Sequence, residues 1–153
     1  MLHLFRKTQS QFFSEEEKAR IVQAIQTAEQ RTSGEIRLFI ESKCRFVNAL
    51  DRAVEVFGQL DMHKTAQRNG VLVYVAVVDR QLAVYADEGI FQKAGKSFWN
   101  NAVQRMLAAF DKNSYVNGIE NIILETGETL AQHFPYDRSS DVNELPDDIV
   151  FGK

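Results

Sequence analysis

Apolar positions recur at helical spacing in the first sixty residues. Ser14 and Glu17 have the S-x-x-E spacing of a capping box, in which each side chain satisfies a free backbone N–H of the first turn. Apolar residues follow every three or four positions, which predicts a helix over residues 15–31 with Gly34 as its left-handed C-terminal residue. The same spacing predicts a second helix over residues 48–60.

The same periodicity returns in the second half of the chain. Phe98, Ala102 and Met106 lie along one side of a predicted helix that follows the segment "DEGI". Residues 115–134 carry a further apolar stripe, and Pro135 ends this last helix. Together with the two earlier helices, these segments predict four or more helices in the domain.

Three segments have the pattern of strands. Residues 35–42 place apolar side chains on alternate positions, whereas 71–78 form a continuous valine-rich run that is typical of a strand covered on both faces. The turn at Asp79-Arg80 predicts that residues 81–87 return as an antiparallel partner. The first two strands flank a helix, so we predict that they are parallel and joined by a right-handed crossover.

These elements predict the fold class and the organisation of the chain. We expect an α/β fold, specifically a three-layer α/β/α sandwich around a small mixed sheet. The domain is predicted at residues 12–135, between a flexible N-terminus at 1–11 and a flexible acidic tail at 136–153. The apolar cluster at 149–151 could dock on a neighbouring surface, but the polar composition around it favours an unattached tail.

The predicted strand directions bring charged residues from three segments to one edge of the sheet. Glu35 begins the first strand, Arg68 and Asn69 precede the second, and Asp87 and Glu88 end the third. Carboxylate and amide oxygens are ligands that Ca²⁺ and Mg²⁺ prefer, so this edge is a candidate divalent-cation site with Arg68 and Asn69 around it. Alternatively, these are solvated strand ends in which Arg68 pairs with a carboxylate, worth about 0–1 kcal/mol if exposed. The residues taken alone favour this second interpretation.

Composition and motifs exclude several classes of function. The net charge of −3 and the absence of a basic cluster argue against a nucleic-acid partner. "GIFQKAGKS" resembles a phosphate loop, but five residues rather than four separate its glycines. Cys44 is the single cysteine, and the three histidines are scattered, which argues against a disulfide or a zinc site. Without a secretory leader or a membrane span in the sequence, we expect a monomeric cytoplasmic protein.

Four stretches carry a resemblance to a known family. They are "TSGEIRLFIES", "RNGVLVYVAVVDRQLAVYADEGI", Phe98-Trp99 and "NGIENIILETGETLAQHFP", within residues 12–135. The chain resembles the TPM-domain family, in particular its short bacterial members; the family includes a plant thylakoid-lumen protein with reported acid-phosphatase activity. The resemblance implies an α/β sandwich and, as for some members, association with divalent cations such as Ca²⁺. Glu35, Asp87 and Gly89 occupy matching motif positions.

Three hypotheses for function follow from the residues and the resemblance. In the first, the protein is a divalent-cation-binding interaction module for an unidentified protein partner, with Glu35, Asp87 and Glu88 as Ca²⁺ or Mg²⁺ ligands. In the second, it is a metal-assisted acid phosphatase in which Arg68 holds the phosphate. In the third, it is a structural scaffold without a ligand. The absence of a nucleophile or general-base motif places the phosphatase last.

Overall fold

The computed structural model describes residues 13–45, 48–111, 115–136 and 149–152. Within these residues, five α-helices and four strands follow one another in the order α1 (Glu15–Glu29), β1 (Glu35–Glu41), α2 (Ala49–Gln59), β2 (Gly70–Ala76), β3 (Gln81–Ala86), α3 (Glu88–Ala94), α4 (Lys96–Asp111), α5 (Tyr115–His133) and β4 (Val150–Phe151). A short 3-10 helix at Met62–Lys64 connects α2 to β2. The predicted helices and strands are therefore present, most of them with ends shifted by one or two residues.

The four strands form one mixed sheet in the order β3-β2-β1-β4. Strand β1 runs parallel to β2 with Glu35 opposite Gly70, and β3 runs antiparallel to β2 with Ala86 opposite Val71. These directions confirm the prediction of a parallel crossover followed by a hairpin. They are the reason that the start of β1, the start of β2 and the end of β3 lie at the same edge.

Two hydrophobic cores lie on opposite faces of this sheet. Alternate strand residues such as Ile36, Val73 and Val84 face α1, α3, α4 and α5, whereas Phe39, Leu72 and their neighbours face α2. Because side chains alternate between the faces of a strand, a sheet covered on both sides needs apolar residues at successive positions. This arrangement explains the continuous run in β2 and confirms the three-layer α/β/α sandwich.

The capping box of α1 is confirmed, but the predicted end of this helix is wrong. Ser14 accepts a hydrogen bond from the Glu17 N–H while the Glu17 side chain accepts one from the Ser14 N–H. The helix is capped at Gln30 in a right-handed conformation rather than at Gly34. Gly34 instead makes room for a neighbouring helix, because a Cβ there would lie 2.7 Å from a methyl carbon of Leu130.

The end of the chain corrects the predicted tail. Val150 and Phe151 pair in parallel with Phe39 and Ile40 of β1, so β4 completes the sheet on the side away from β3. The Gly152 N–H then donates a hydrogen bond of 2.7 Å to the Ile40 carbonyl. The unattached tail predicted for 136–153 is wrong at these residues, because their apolar side chains gain cover on the sheet. The predicted flexible segment at 1–11 and residues 137–148 lie outside the described residues.

Candidate functional site

The predicted edge of the sheet has the register that the topology requires. We call Glu35, Arg68, Asn69, Asp87 and Glu88 the acidic rim. Glu35 is opposite Gly70, and Asp87 donates its N–H to the Gly70 carbonyl at 2.9 Å, so β2 separates the two acids. Strand alternation puts Glu35 and Asp87 on the α2 face, at Cα positions roughly 10 Å apart, or two strand spacings.

Arg68 and Asp87 form the central contact of the acidic rim. The guanidinium donates two hydrogen bonds to the carboxylate, Nε to Oδ2 at 2.8 Å and Nη2 to Oδ1 at 2.9 Å. The side chain of Asp87 is 3% exposed, whereas that of Arg68 is 46% exposed. The hydrogen bond from Arg68 to Asp87 and the charge of that carboxylate raise the pKa of Arg68 above its usual range. The pair therefore compensates a buried carboxylate with an arginine that reaches it from solvent.

The start of helix α3 orients the two adjacent acids differently. Asp87 is the N-cap of this helix, and its Oδ1 accepts a hydrogen bond of 2.8 Å from the Glu88 N–H. The Glu88 side chain is 68% exposed, and its Oε1 lies 3.4 Å from Nη1 of Arg68. Asp87 is thus held in place by the helix start, while Glu88 extends into solvent beside the same arginine.

Gly89 allows the segment before β2 to reach α3. Its N–H donates a hydrogen bond of 2.9 Å to the Arg68 carbonyl. A Cβ at this position would lie 2.5 Å from that carbonyl oxygen and would also collide with the carbonyl of Gln67. Only glycine permits this approach without a backbone shift, and the approach brings Arg68, at φ 53°, within reach of Asp87.

The structure places Glu35 and Asn69 in the buried part of the acidic rim. Glu35 donates its N–H to the Asn69 carbonyl at 3.3 Å, and Asn69 donates its N–H to Oγ1 of Thr65 at 3.2 Å. The carbonyl oxygen of Met62 would lie 3.1 Å from a Cβ on Gly70, so backbone fills the space over Gly70. The five predicted residues thus share one edge, and side-chain contacts join Arg68 to Asp87 and to Glu88.

The acidic rim offers the types of oxygen atom that bind hard cations. Asp87 and Glu88 offer carboxylate oxygens, and Oδ1 of the buried Asn69 has no hydrogen-bond partner among the described residues. In the same part of the chain, no three His, Cys, Asp or Glu side chains are grouped closely enough to hold a metal ion. Since Arg68 bonds to both oxygens of Asp87, a cation must displace this arginine to bind there.

A second buried carboxylate lies at the opposite edge of the sheet. Glu41 accepts hydrogen bonds from Nε of Arg52 at 2.9 Å and from Nη2 at 3.0 Å, and the Tyr74 hydroxyl donates to the same carboxylate. Burial is the main cause that raises the pKa of Tyr74, and its hydrogen bond to Glu41 adds to this effect. The hydrogen bond to the Glu41 carboxylate likewise raises the pKa of Arg52. Sequence reasoning missed this network. The one sign of this network in the sequence was Glu41 itself, a charged residue at a strand position that faces α2.

A cleft of about 720 Å³ opens beside the acidic rim. Strand β3 lines it along its length, with the start of α2 on one side and α3 and α4 on the other. Arg68, Asp87 and Glu88 lie in its lining, so three of the five predicted residues border a cavity of the size that binds small ligands. Among the described residues, no helix has both the length and the hydropathy required to cross a bilayer.

The chain is similar to a known protein family and to solved structures. Residues 7–129 match the model of the TPM domain. The NMR structure of the BA42 protein from the psychrophilic bacterium Bizionia argentinensis is 38% identical, with a TM-score of 0.84, covering 92% of this chain and 96% of that one. None of the curated proteins compared with this chain matches it.

Two more distant structures share the fold. The N-terminal domain of the cg2496 protein from Corynebacterium glutamicum is 12% identical with a TM-score of 0.61, covering 90% of this chain and 80% of that one. An N-terminal domain of a protein from P. gingivalis is also 12% identical, with a TM-score of 0.66 and coverages of 82% and 83%. At this identity, the likeness supports the architecture alone.

Proposed function

The chain belongs to the TPM-domain family, and from this premise we propose that it is a divalent-cation-binding interaction module whose ligands include Asp87 and Glu88. The observation that carries the proposal is the paired placement of these acids at the start of α3. Asp87 is buried and oriented by the Glu88 N–H, and Glu88 is exposed beside it. Adjacent carboxylates of this kind attract a hard cation such as Ca²⁺.

Arg68 is the competitor of the cation in this proposal. A buried carboxylate requires a compensating charge, and Arg68 supplies it when no cation is bound. Nearly half of the arginine side chain is exposed, so it can move into solvent when an ion replaces it. Because the ion must displace a bidentate pair, we expect weak binding, with a Kd on the order of 10⁻⁴–10⁻³ M. Ca²⁺ should bind more tightly than Mg²⁺, since it tolerates irregular ligand geometry.

The test is a Ca²⁺ titration of the full chain followed by amide chemical shifts and calorimetry. We expect Asp87→Asn to abolish binding and Arg68→Gln to tighten it several-fold by removing the competitor. Glu125→Gln is the matched control, because Glu125 also accepts hydrogen bonds from an arginine, Arg105, but at a site away from the rim. Shifts that stay unchanged at 68, 87 and 88 in millimolar Ca²⁺ would refute the proposal.

In this proposal Glu35 contributes less to cation binding than the sequence analysis predicted. Two strand spacings and the Met62 carbonyl lie between its position and that of Asp87. We therefore expect Glu35→Gln to change the Ca²⁺ affinity by less than about twofold, whereas Glu88→Gln weakens it clearly. A titration of both variants distinguishes a site confined to the start of α3 from one that spans the sheet.

A second candidate function is metal-assisted hydrolysis of a phosphomonoester. The observation that favours it is the position of Arg68, whose guanidinium would become available for a phosphate when it leaves Asp87 at the border of the cleft. A divalent cation bound at these acids would lower the pKa of a coordinated water. The test is turnover of p-nitrophenyl phosphate with Ca²⁺ or Mg²⁺. Activity must disappear in Asp87→Asn and persist in Glu125→Gln; equal activity in both variants would refute it.

A further inference from the structure

The cleft beside β3 has an unpaired strand edge as its floor. Successive residues from Leu82 to Asp87 all line it, although alternate side chains belong to opposite faces of the sheet. Consecutive residues of a strand can line one cavity only when the cavity faces the edge of that strand. Among the described strands, β3 is terminal in the sheet, with β2 on its other side.

The register identifies the backbone groups that face the cleft. The Asp87 N–H donates to the Gly70 carbonyl of β2. Because hydrogen-bonded pairs alternate along an antiparallel ladder, the backbone N–H and C=O groups of Tyr85 and Ala83 also point toward β2. The N–H and C=O groups of Leu82, Val84 and Ala86 therefore point outward, about 6.8 Å apart along the strand. Within the described ranges, these three N–H groups donate to no backbone carbonyl in the turns, loops or helix ends.

The walls of the cleft carry apolar surface and a buried donor. Leu50 of α2 and Phe91 of α3 stand on opposite walls and are 44% and 41% exposed. Trp99 of α4 also lines the cleft and is 4% exposed, yet its Nε1–H has no acceptor in the part of the chain that the structure describes. Buried indole N–H groups in proteins usually have a hydrogen-bond partner.

We propose that the cleft binds an extended, uncharged peptide segment of a partner protein, which adds as a fifth strand along β3. Main-chain hydrogen bonds to Leu82, Val84 and Ala86 would hold the segment, and its alternate side chains would meet the two walls. The charges of the lining balance, with Arg68 and Lys96 against Asp87 and Glu88, which favours a segment without net charge.

The shape of the cleft favours a single strand over a second copy of this chain. The edge of β3 lies between α2 and the α3–α4 pair, so an approaching copy would bring its own flanking helices against these walls. A lone segment has no such helices and can reach the floor. It would also cover Leu50 and Phe91, two of the large apolar side chains that remain exposed on the described surface.

The experiment selects peptides and then tests where they bind. The full chain is panned in EDTA against a displayed library of random seven-residue peptides, and enriched sequences are resynthesised with blocked termini. We expect amide shifts at Leu82, Val84 and Ala86 and along the walls. A variant of a selected peptide with proline at a position whose N–H would face β3 should not bind, because proline has no backbone donor. Selection in EDTA makes the result independent of the proposed cation site.

Two exposed positions of α2 provide a matched comparison. Leu50 and Val54 are both 44% exposed, but only Leu50 lines the cleft. We expect Leu50→Asp, and likewise Phe91→Gln on the other wall, to weaken peptide binding at least tenfold, while Val54→Asp stays within twofold. Three outcomes would overturn the proposal: no enriched peptide, equal losses for Leu50→Asp and Val54→Asp, or concentration-dependent self-association that Leu50→Asp removes, which would assign the cleft to a second copy.

Discussion

At the residue scale, two arginine–carboxylate pairs use the same chemistry for different ends. In both pairs the carboxylate is buried and accepts two hydrogen bonds from one guanidinium. The side chain of Arg52 is 18% exposed, whereas that of Arg68 is 46% exposed. Arg52 is thus enclosed between α2 and the sheet, while Arg68 extends toward solvent. In our proposal, this difference in the burial of the arginine distinguishes the structural contact of Arg52 from the contact of Arg68 that a cation would replace.

Removal of Arg52 should destabilise the fold more than removal of an exposed arginine. Arg52→Met leaves the buried Glu41 carboxylate without its cation, which costs about 3 kcal/mol of unfolding free energy. Arg105→Met is the control, because the Arg105–Glu125 pair is exposed and such pairs contribute about 0–1 kcal/mol. Urea unfolding of both variants measures the difference. Equal losses would show that the Glu41 network is not a buried pair in solution.

The Tyr74 hydroxyl should make stability depend on alkaline pH. Burial and the bond to Glu41 raise its pKa in the folded state above the value of roughly 10 that it has in the unfolded chain. The folded state therefore retains this proton, and the associated stability is present below about pH 10 and is lost as the pH rises above it. Urea unfolding from pH 7 to pH 11 should show a steeper decline in the wild type than in Tyr74→Phe, with Tyr136→Phe, at an exposed tyrosine, as the control.

At the element scale, glycines in helices have opposite roles according to what lies beside them. In α5, a Cβ on Gly127 would lie 2.5 Å from the Cβ of Ala28, so this glycine sets how closely α1 and α5 approach. In α2, a Cβ on Gly58 would meet nothing within 4 Å. The intrinsic helix preference for alanine over glycine is the same in both helices, and packing decides which effect prevails.

Alanine substitution at these glycines should therefore change stability in opposite directions. Gly58→Ala should stabilise the protein by about 0.5–1 kcal/mol through helix propensity. Gly127→Ala should destabilise it by about 1–3 kcal/mol, because the added methyl group forces the two helices apart. Thermal unfolding of the two variants tests the pair. A stabilised Gly127→Ala protein would mean that α1 and α5 are not in close contact at this point.

At the scale of the whole molecule, the two sides of the sheet differ in what lies beside their strands. On one side, β4 covers the edge of β1, and Phe151 packs against the larger core with Lys18 5.8 Å from its ring. On the other side, β3 offers its edge to the cleft next to the acidic rim. Among the described strands, the chain itself therefore covers the outer edge of β1, whereas no strand lies beside the outer edge of β3.

Loss of the β4 contact should weaken the closed edge specifically. Phe151→Ala removes apolar area that packs on the core, which should cost about 1–2 kcal/mol. Amide hydrogen exchange at Gly152, whose N–H bonds to Ile40, should accelerate, while the amides of β2 stay protected. Val78→Ala is the control, because Val78 is 57% exposed. Unchanged exchange at Gly152 in Phe151→Ala would refute this role of β4.

Local patterning in the sequence was sufficient to predict most of the elements, although not β4, and much of the acidic rim. The capping box, the apolar periodicities and the valine-rich run depend on neighbours within a few residues, and they predicted α1, β2 and the hairpin. Rules for chain connections then placed Arg68 and Asp87 at one edge, where the structure joins them. The TPM-domain resemblance was confirmed by the match over residues 7–129.

Only the tertiary structure decided which side chains meet. The contact of Glu41 with Tyr74 joins residues 33 positions apart, and β4 packs on a strand more than a hundred positions earlier. Local periodicity does not encode such pairings, because they depend on how whole elements pack. The Met62 carbonyl over Gly70 and the open edge of β3 arise in the same way. Sequence determined most of the elements and the directions of β1, β2 and β3, and packing determined what each buried or exposed group faces.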